Sequence, residues 1–329
     1  MKKTTIVHII LITAIIVIAG VSAYRLYRWN KGAVTVTPVT QQTPEPVDPE
    51  AFDTEVLDMI IPMDSTRMNG HEDDGELQIL CLGNNPFSDD RSSTGLASLI
   101  AQKTGGTVYD ATFPDSSTAY KYNPINPNYP MDHFSLPSIG CGLMGNDFYT
   151  LNAAVPYMND PENFQKGLDA LEAVDMSTLD VMVIMYDSTD YNNGTPCVNE
   201  QVEDDVMAFT GGLKFFMNIV KQYWPYVRVY VLTPTYAQYM DENGKMYSGS
   251  LKDIGNGTLP YYVQNEIDTT VGAGNSLIDN YYGTINENNY EEYMSDYMHL
   301  NEKGREKVAE RVSKIIMSNM SVVQSAPAE

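Results

Sequence analysis

The chain has 329 residues, with 20 Lys plus Arg against 43 Asp plus Glu and a formal net charge of -23. So acidic a balance excludes a nucleic-acid binder, which needs a basic face for the phosphate backbone. A composition of 43% hydrophobic and 10% aromatic residues excludes wholesale disorder. Three cysteines, Cys81, Cys141 and Cys197, make neither a disulfide framework nor a CxxC zinc spacing.

In chain order, residues 1–31 hold five bases and no acid, leaving 15 bases against 43 acids for the remainder. Residues 5–24 (TIVHIILITAIIVIAGVSAY) are almost wholly apolar. About 20 such residues match the roughly 30 Å hydrocarbon core, so a single transmembrane helix is expected. The competing reading is a signal peptide cut after Val21-Ser22-Ala23. The apolar run exceeds the usual length, and Arg25, Arg28 and Lys31 follow at once, which favours an uncleaved anchor. Residues 32–56, rich in Thr, Pro and Val, read as an extended stalk. Residues 57–329 are then one domain, placed outside the cytoplasm at the cell membrane.

From residue 76 onward, short apolar runs alternate with amphipathic stretches. The runs are 77–82, 107–111, 179–186, 227–234 and 276–279; the helical stretches are 94–103, 163–174, 202–224, 261–271 and 302–317. Continuous hydrophobicity marks strands buried on both faces, and the βαβα order implies an α/β fold with a parallel sheet. Ligands bind outside the carboxyl ends of such strands, so function is expected in the loops there. Two of them, 112–152 and 235–259, are long and rich in Tyr, Asn, Pro and Gly, as binding surfaces often are.

Histidine is scarce. His8 lies in the apolar run, His71 in an acidic lead-in and His133 in a Pro/Asn-rich loop, which leaves His299 as the best-placed general base. Asp296, three residues before it, can hold the imidazole tautomer while the other ring nitrogen faces a substrate. A histidine that caps or packs the last helix is the equal alternative. Asp187 and Asp190 flank Thr189 at the end of a buried run; loop capping is the favoured reading, a carboxylate cluster the other. Asp89, Asp90 and Arg91 either orient the first loop or are solvated. Tyr297 belongs to a tyrosine-rich stretch with stacking faces for sugar rings.

Four segments in order resemble the blocks of the SGNH/GDSL hydrolases: ILCLGNNPF, VYDATFPDSSTA, VMVIMYDSTDY and DYMHLNEKGREKVAERV. The resemblance spans residues 76–317 and implies a flavodoxin-like three-layer α/β/α fold acting on esters or acyl groups, without metal or other cofactor. Asp296 and His299 fall on its triad acid and base. The nucleophilic serine, two residues after Gly83, is replaced by Asn85, which has no hydroxyl to give up. An oxyanion-hole glycine corresponds to about Thr112, and the third-block asparagine to Thr189, whose hydroxyl is the remaining oxyanion donor. Ser88 is the nearest substitute nucleophile. Gly83, Asn84, Asn85, Asp187, Asp190 and Tyr297 are the expected binding residues. The leading expectation is a membrane-anchored extracytoplasmic esterase or acyltransferase acting on an acylated glycan or small ester. The alternative, favoured by Asn85, is an inactive descendant kept as a carbohydrate-binding or scaffold module.

Overall fold

A computed structural model describes residues 56–320, together with Gly20 and the pair 323–324. The chain divides into two compact units, Met1–Asp53 and Thr54–Glu329, of which the second carries the sheet. The expected anchor at 5–24 and stalk at 32–56 lie outside the described residues, apart from Gly20 and Val56. Among the described residues no helix is long and apolar enough to cross a membrane.

The continuous apolar runs form five strands: β1 (Gln78–Gly83), β2 (Thr107–Thr112), β3 (Val181–Met185), β4 (Arg228–Leu232) and β5 (Ser276–Ile278). All pair in parallel, in the order β2-β1-β3-β4-β5. That order is the flavodoxin-like winding expected of the resemblance, with the strand order reversing at β1 and β3.

The helices are α1 (Leu96–Thr104), α2 (Leu136–Gly145), α3 (Pro161–Ala173), α4 (Phe209–Tyr223), α5 (Leu259–Gly272) and α6 (Glu302–Met320). Successive strand residues point to opposite faces. Leu80, Leu82, Met182 and Ile184 therefore meet α2, α3 and α4 through Leu136, Leu168 and Phe216. Ile79, Cys81, Val181 and Val183 meet α1 and α6 through Leu96, Ile100, Val308 and Val312. Every residue of β3 and β4 is buried, which is why these strands show no polar alternation in the sequence.

Two expected loops contain structure. Residues 112–152 include α2, whose LPSIGCGLMG sequence hides helical character behind three glycines. Gly140 is there for packing, because a Cβ on it would stand 2.9 Å from the Phe216 ring of α4. Residues 235–259 fold back as the antiparallel pair Gln238–Met240 and Met246–Ser248. Residues 57–61 pack onto the sheet: Met59 and Leu277 of β5 exchange both main-chain hydrogen bonds, at 3.0 and 2.8 Å. The Ile61 amide donates to Ser276 Oγ, and Arg311 of α6 grips the Asp58 carboxylate at 2.7 Å.

Candidate active site

The carboxyl ends of β1, β2 and β3 come together with the segment before α6. β1 ends at Gly83 with φ 145°, and a Cβ there would lie 1.9 Å from the Met185 carbonyl oxygen. Only glycine fits this turn beside β3. The chain then enters a short helix, Asn85–Ser88, with a proline in its first turn.

Asn84 is fully buried and ties the three strand ends together. Its side-chain amide donates to the Ser116 carbonyl at 2.9 Å and to Asp187 Oδ1 at 2.8 Å, while its Oδ1 accepts the Asp187 amide at 2.9 Å. Asn85, buried beside it, donates to Asp187 Oδ2 at 2.8 Å and Asp115 Oδ1 at 3.3 Å, and its Oδ1 accepts the Asp115 amide at 2.9 Å. With carboxylates on one side and an N–H on the other, the orientation of the Asn85 amide is dictated by its partners. Asp187 Oδ1 also accepts the Thr189 amide at 2.9 Å. Asp190 Oδ2 takes the Thr118 amide and hydroxyl, both at 2.9 Å. Asp187 and Asp190 thus bind loop backbone, as favoured on sequence grounds. Burial comes first among the causes that push the Asp190 carboxyl up to about 6, against the bonds from Thr118. Among the described residues no group of three metal-ligating side chains is placed to hold an ion.

Across from this cluster stands the dyad. His299 Nδ1 meets Asp296 Oδ2 at 2.7 Å, and Asp296 Oδ1 accepts the amides of Met298 and His299, each at 2.9 Å. A carboxylate on Nδ1 makes that nitrogen the donor and leaves Nε2 as the free base. Burial lowers the His299 pKa, but the bond to Asp296 and the charges of Asp89, Asp296 and Asp187 outweigh it, so the imidazole titrates above 6.5. Burial raises Asp296, but the amides of Met298 and His299 and the His299 ring outweigh it and hold its carboxyl below the usual range. The turn is braced by Asn301, whose amide donates to the Glu292 and Met294 carbonyls and whose Oδ1 caps α6 at the Gly304 amide, 3.0 Å away. A Cβ on Gly304 would lie 2.2 Å from the Tyr293 carbonyl oxygen, which accounts for the glycine of HLNEKG. The Tyr297 ring stands edge-on to His299 at 6.2 Å.

No family profile matches the chain, and no curated protein matches it. Among solved structures, one aligns with TM-score 0.53 at 17% identity, covering 75% of this chain and 99% of its own. A Lactobacillus plantarum protein aligns with TM-score 0.51 at 13% identity, covering 74% and 97%. A possible lipase from Chitinophaga pinensis aligns with TM-score 0.47 at 13% identity, covering 74% and 98%. With the first two of these structures the chain shares its parallel α/β fold.

The four segments singled out in the sequence converge at one end of the sheet, but their chemistry differs between them. Ser88 Oγ is buried and makes no hydrogen bond, so it is not joined to His299. No other hydroxyl among the described residues bonds the ring. The Thr189 hydroxyl is likewise buried without a partner. Thr112, the expected oxyanion position, has its hydroxyl on Asp110 at 2.6 Å and its carbonyl on Arg91. The backbone N–H that faces Asn85 belongs instead to Asp115, three residues later. Its φ of 55° is the left-handed conformation that glycine adopts most easily and that aspartate tolerates. The PDSS turn is the sequence signal for it.

Two arginines fasten this end of the sheet. Arg305 of α6 donates to Asp90 Oδ2 at 2.7 Å, the Thr94 carbonyl at 3.0 Å and the Leu300 carbonyl at 3.0 Å, clamping the loop after Ser88 to the segment that carries His299. Arg91 pairs with Asp110 at 2.9 Å and holds the end of β2. Asp89 is exposed along one edge yet sits in the negative field of Asp187, Asp115 and Asp296. Burial of its carboxyl and those charges push it up to about 6, with His299 opposing.

Proposed function

We propose that this protein is an SGNH-type hydrolase of acyl esters on carbohydrate, held outside the cytoplasm by its N-terminal apolar segment. The observation that carries this reading is the Asp296–His299 pair. One carboxylate fixes the ring at 2.7 Å through Oδ2 while its other oxygen is held by two backbone amides, an expensive arrangement for a residue with only a packing role. With Asn85 in the serine position, His299 acts on water directly. Nε2 takes a proton from water as the oxygen attacks the acyl carbon. The tetrahedral adduct then expels the sugar oxygen, which receives the proton back from His299. Thr189, with its unpartnered hydroxyl, is the residue best suited to donate to the developing oxyanion. Because the imidazole is held above its ordinary value, turnover should rise with pH along a limb shifted above that of a free imidazole.

A second reading has its own observation. Asn85 is bonded to both Asp187 and Asp115, and two carboxylates oppose the charge of an oxyanion. On that reading the fold is a non-catalytic carbohydrate-binding or scaffold module. Acetate release from an aryl acetate or an acetylated glycan by the purified protein, abolished in His299→Ala, supports the hydrolase. No turnover of either compound, with glycan binding unchanged by His299→Ala, leaves the binding module.

A further inference from the structure

We propose that the cavity between the loop after β2 and the loop after β3 is a saccharide subsite selective for sugars without carboxylate or phosphate groups. The proposal rests on the glycan-ester reading above and names where the sugar chain sits. The cavity is about 630 Å³, within the range of small-molecule sites, and its walls are loops that follow the carboxyl ends of β2 and β3. Its lining includes Ser117, next to the Ser116 carbonyl that holds Asn84, and Thr195, next to the turn that begins at Thr189.

The walls are already locked together. The Tyr120 amide of one loop donates to the Val206 carbonyl of the other at 2.8 Å, and Asp190 of the second loop receives the Thr118 amide and hydroxyl of the first. Asp132 is saturated by the Lys121 and Tyr122 amides at 2.8 and 3.0 Å, and Asn199 donates to Asp205 at 2.7 Å. A ligand entering here orders little of the protein, which keeps the cost of binding low.

The chemistry left free suits a sugar ring. Tyr129 lines the cavity with Lys121 Nζ 4.7 Å from its ring centroid, and neither its hydroxyl nor the Asn193 side-chain amide has a protein hydrogen bond among the described residues. Burial, and then the charges of Asp132, Asp190 and Asp115 among others, push the Tyr129 phenol above its ordinary value, so it stays a neutral donor. An aromatic face for C–H groups and free donors and acceptors for hydroxyls are what a polyol needs. Asp132, Glu200 and Asp205 line the cavity against the one cation Lys121. Like charges at close range repel, which disfavours an acidic sugar.

The test is saturable binding to the full-length chain in detergent, measured by calorimetry with xylotetraose and chitotetraose as neutral probes and tetragalacturonate as the acidic one. A neutral probe is expected to bind at least about tenfold more tightly than the acidic one, and Tyr129→Ala and Asn193→Ala each to weaken it by about tenfold. Should Tyr129→Ala fail to fold, the exposed Asn193 decides. Binding of neither neutral probe, equal or tighter binding of tetragalacturonate, or binding unmoved by Asn193→Ala overturns the subsite. Saccharide binding without release of acetate removes the hydrolase reading and keeps the subsite. Cleavage of an aryl acetate without saccharide binding does the reverse.

Discussion

The two sides of the site contrast sharply. On one, Asp296, His299, Asn301 and Gly304 keep every hydrogen bond and close approach that a base and its orienter need. On the other, Asn84, Asn85, Asp115 and Asp187 form a buried amide–carboxylate network where a hydroxyl nucleophile is expected. The base side is built from one local turn capping one helix, so it persists as a unit. The other side joins three strand ends, with Asn85 after β1 bonded to Asp115 after β2 and to Asp187 after β3. A local turn can be read from sequence and disturbed one residue at a time, whereas a network across strand ends stands or falls together.

Four measurements break or sharpen this contrast. If the base side works, His299→Ala lowers acetate release by about 10²- to 10⁴-fold; unchanged turnover makes the dyad a bystander. Asp296→Asn comes next, with a loss of roughly 10²-fold and a pH–rate profile whose rising limb moves to lower pH, because the carboxylate that holds the imidazole above 6.5 is gone. A limb that stays in place assigns the titration to another group. On the network side, Asn85→Ala strips donors from Asp187 and Asp115 and an acceptor from the Asp115 amide. A loss of about 1–3 kcal/mol in unfolding free energy is expected from denaturant titration, and no loss would mean the network contributes nothing. The smallest effect is on stability against pH. Asp89 and Asp190 are raised to about 6 from 3.8 and His299 stands above 6.5, so the folded state holds these protons more tightly than the unfolded chain. Their contribution is complete below the unfolded values and lost as pH rises through about 6 and beyond. Melting at pH 5 should therefore come a few degrees above melting at pH 7.5, and a higher melting point at pH 7.5 contradicts these assignments.

The strands were legible because a sheet covered on both faces writes uninterrupted apolar runs such as VMVIM. Asp296 and His299 were legible because their partnership spans three residues. α2 was not, since Gly140 and Gly142 obscure the helical pattern and only the approach of Phe216 explains the first of them. The Asn85 network was not legible either, because it joins positions about 30 and 100 residues apart and nothing local announces such pairs. Counting from the β2 block points to Thr112, whereas the backbone N–H that meets Asn85 is that of Asp115, held by a left-handed turn.

The short stretch at residues 57–61 has a practical consequence. Met59 occupies main-chain groups of Leu277 at the margin of β5, and the Arg311–Asp58 bond pins it there. A truncated chain that starts after Ile61 would present that margin bare, an invitation to strand exchange between copies. Self-association of such a chain would then reflect where it was cut, and would say nothing about the assembly of the intact protein.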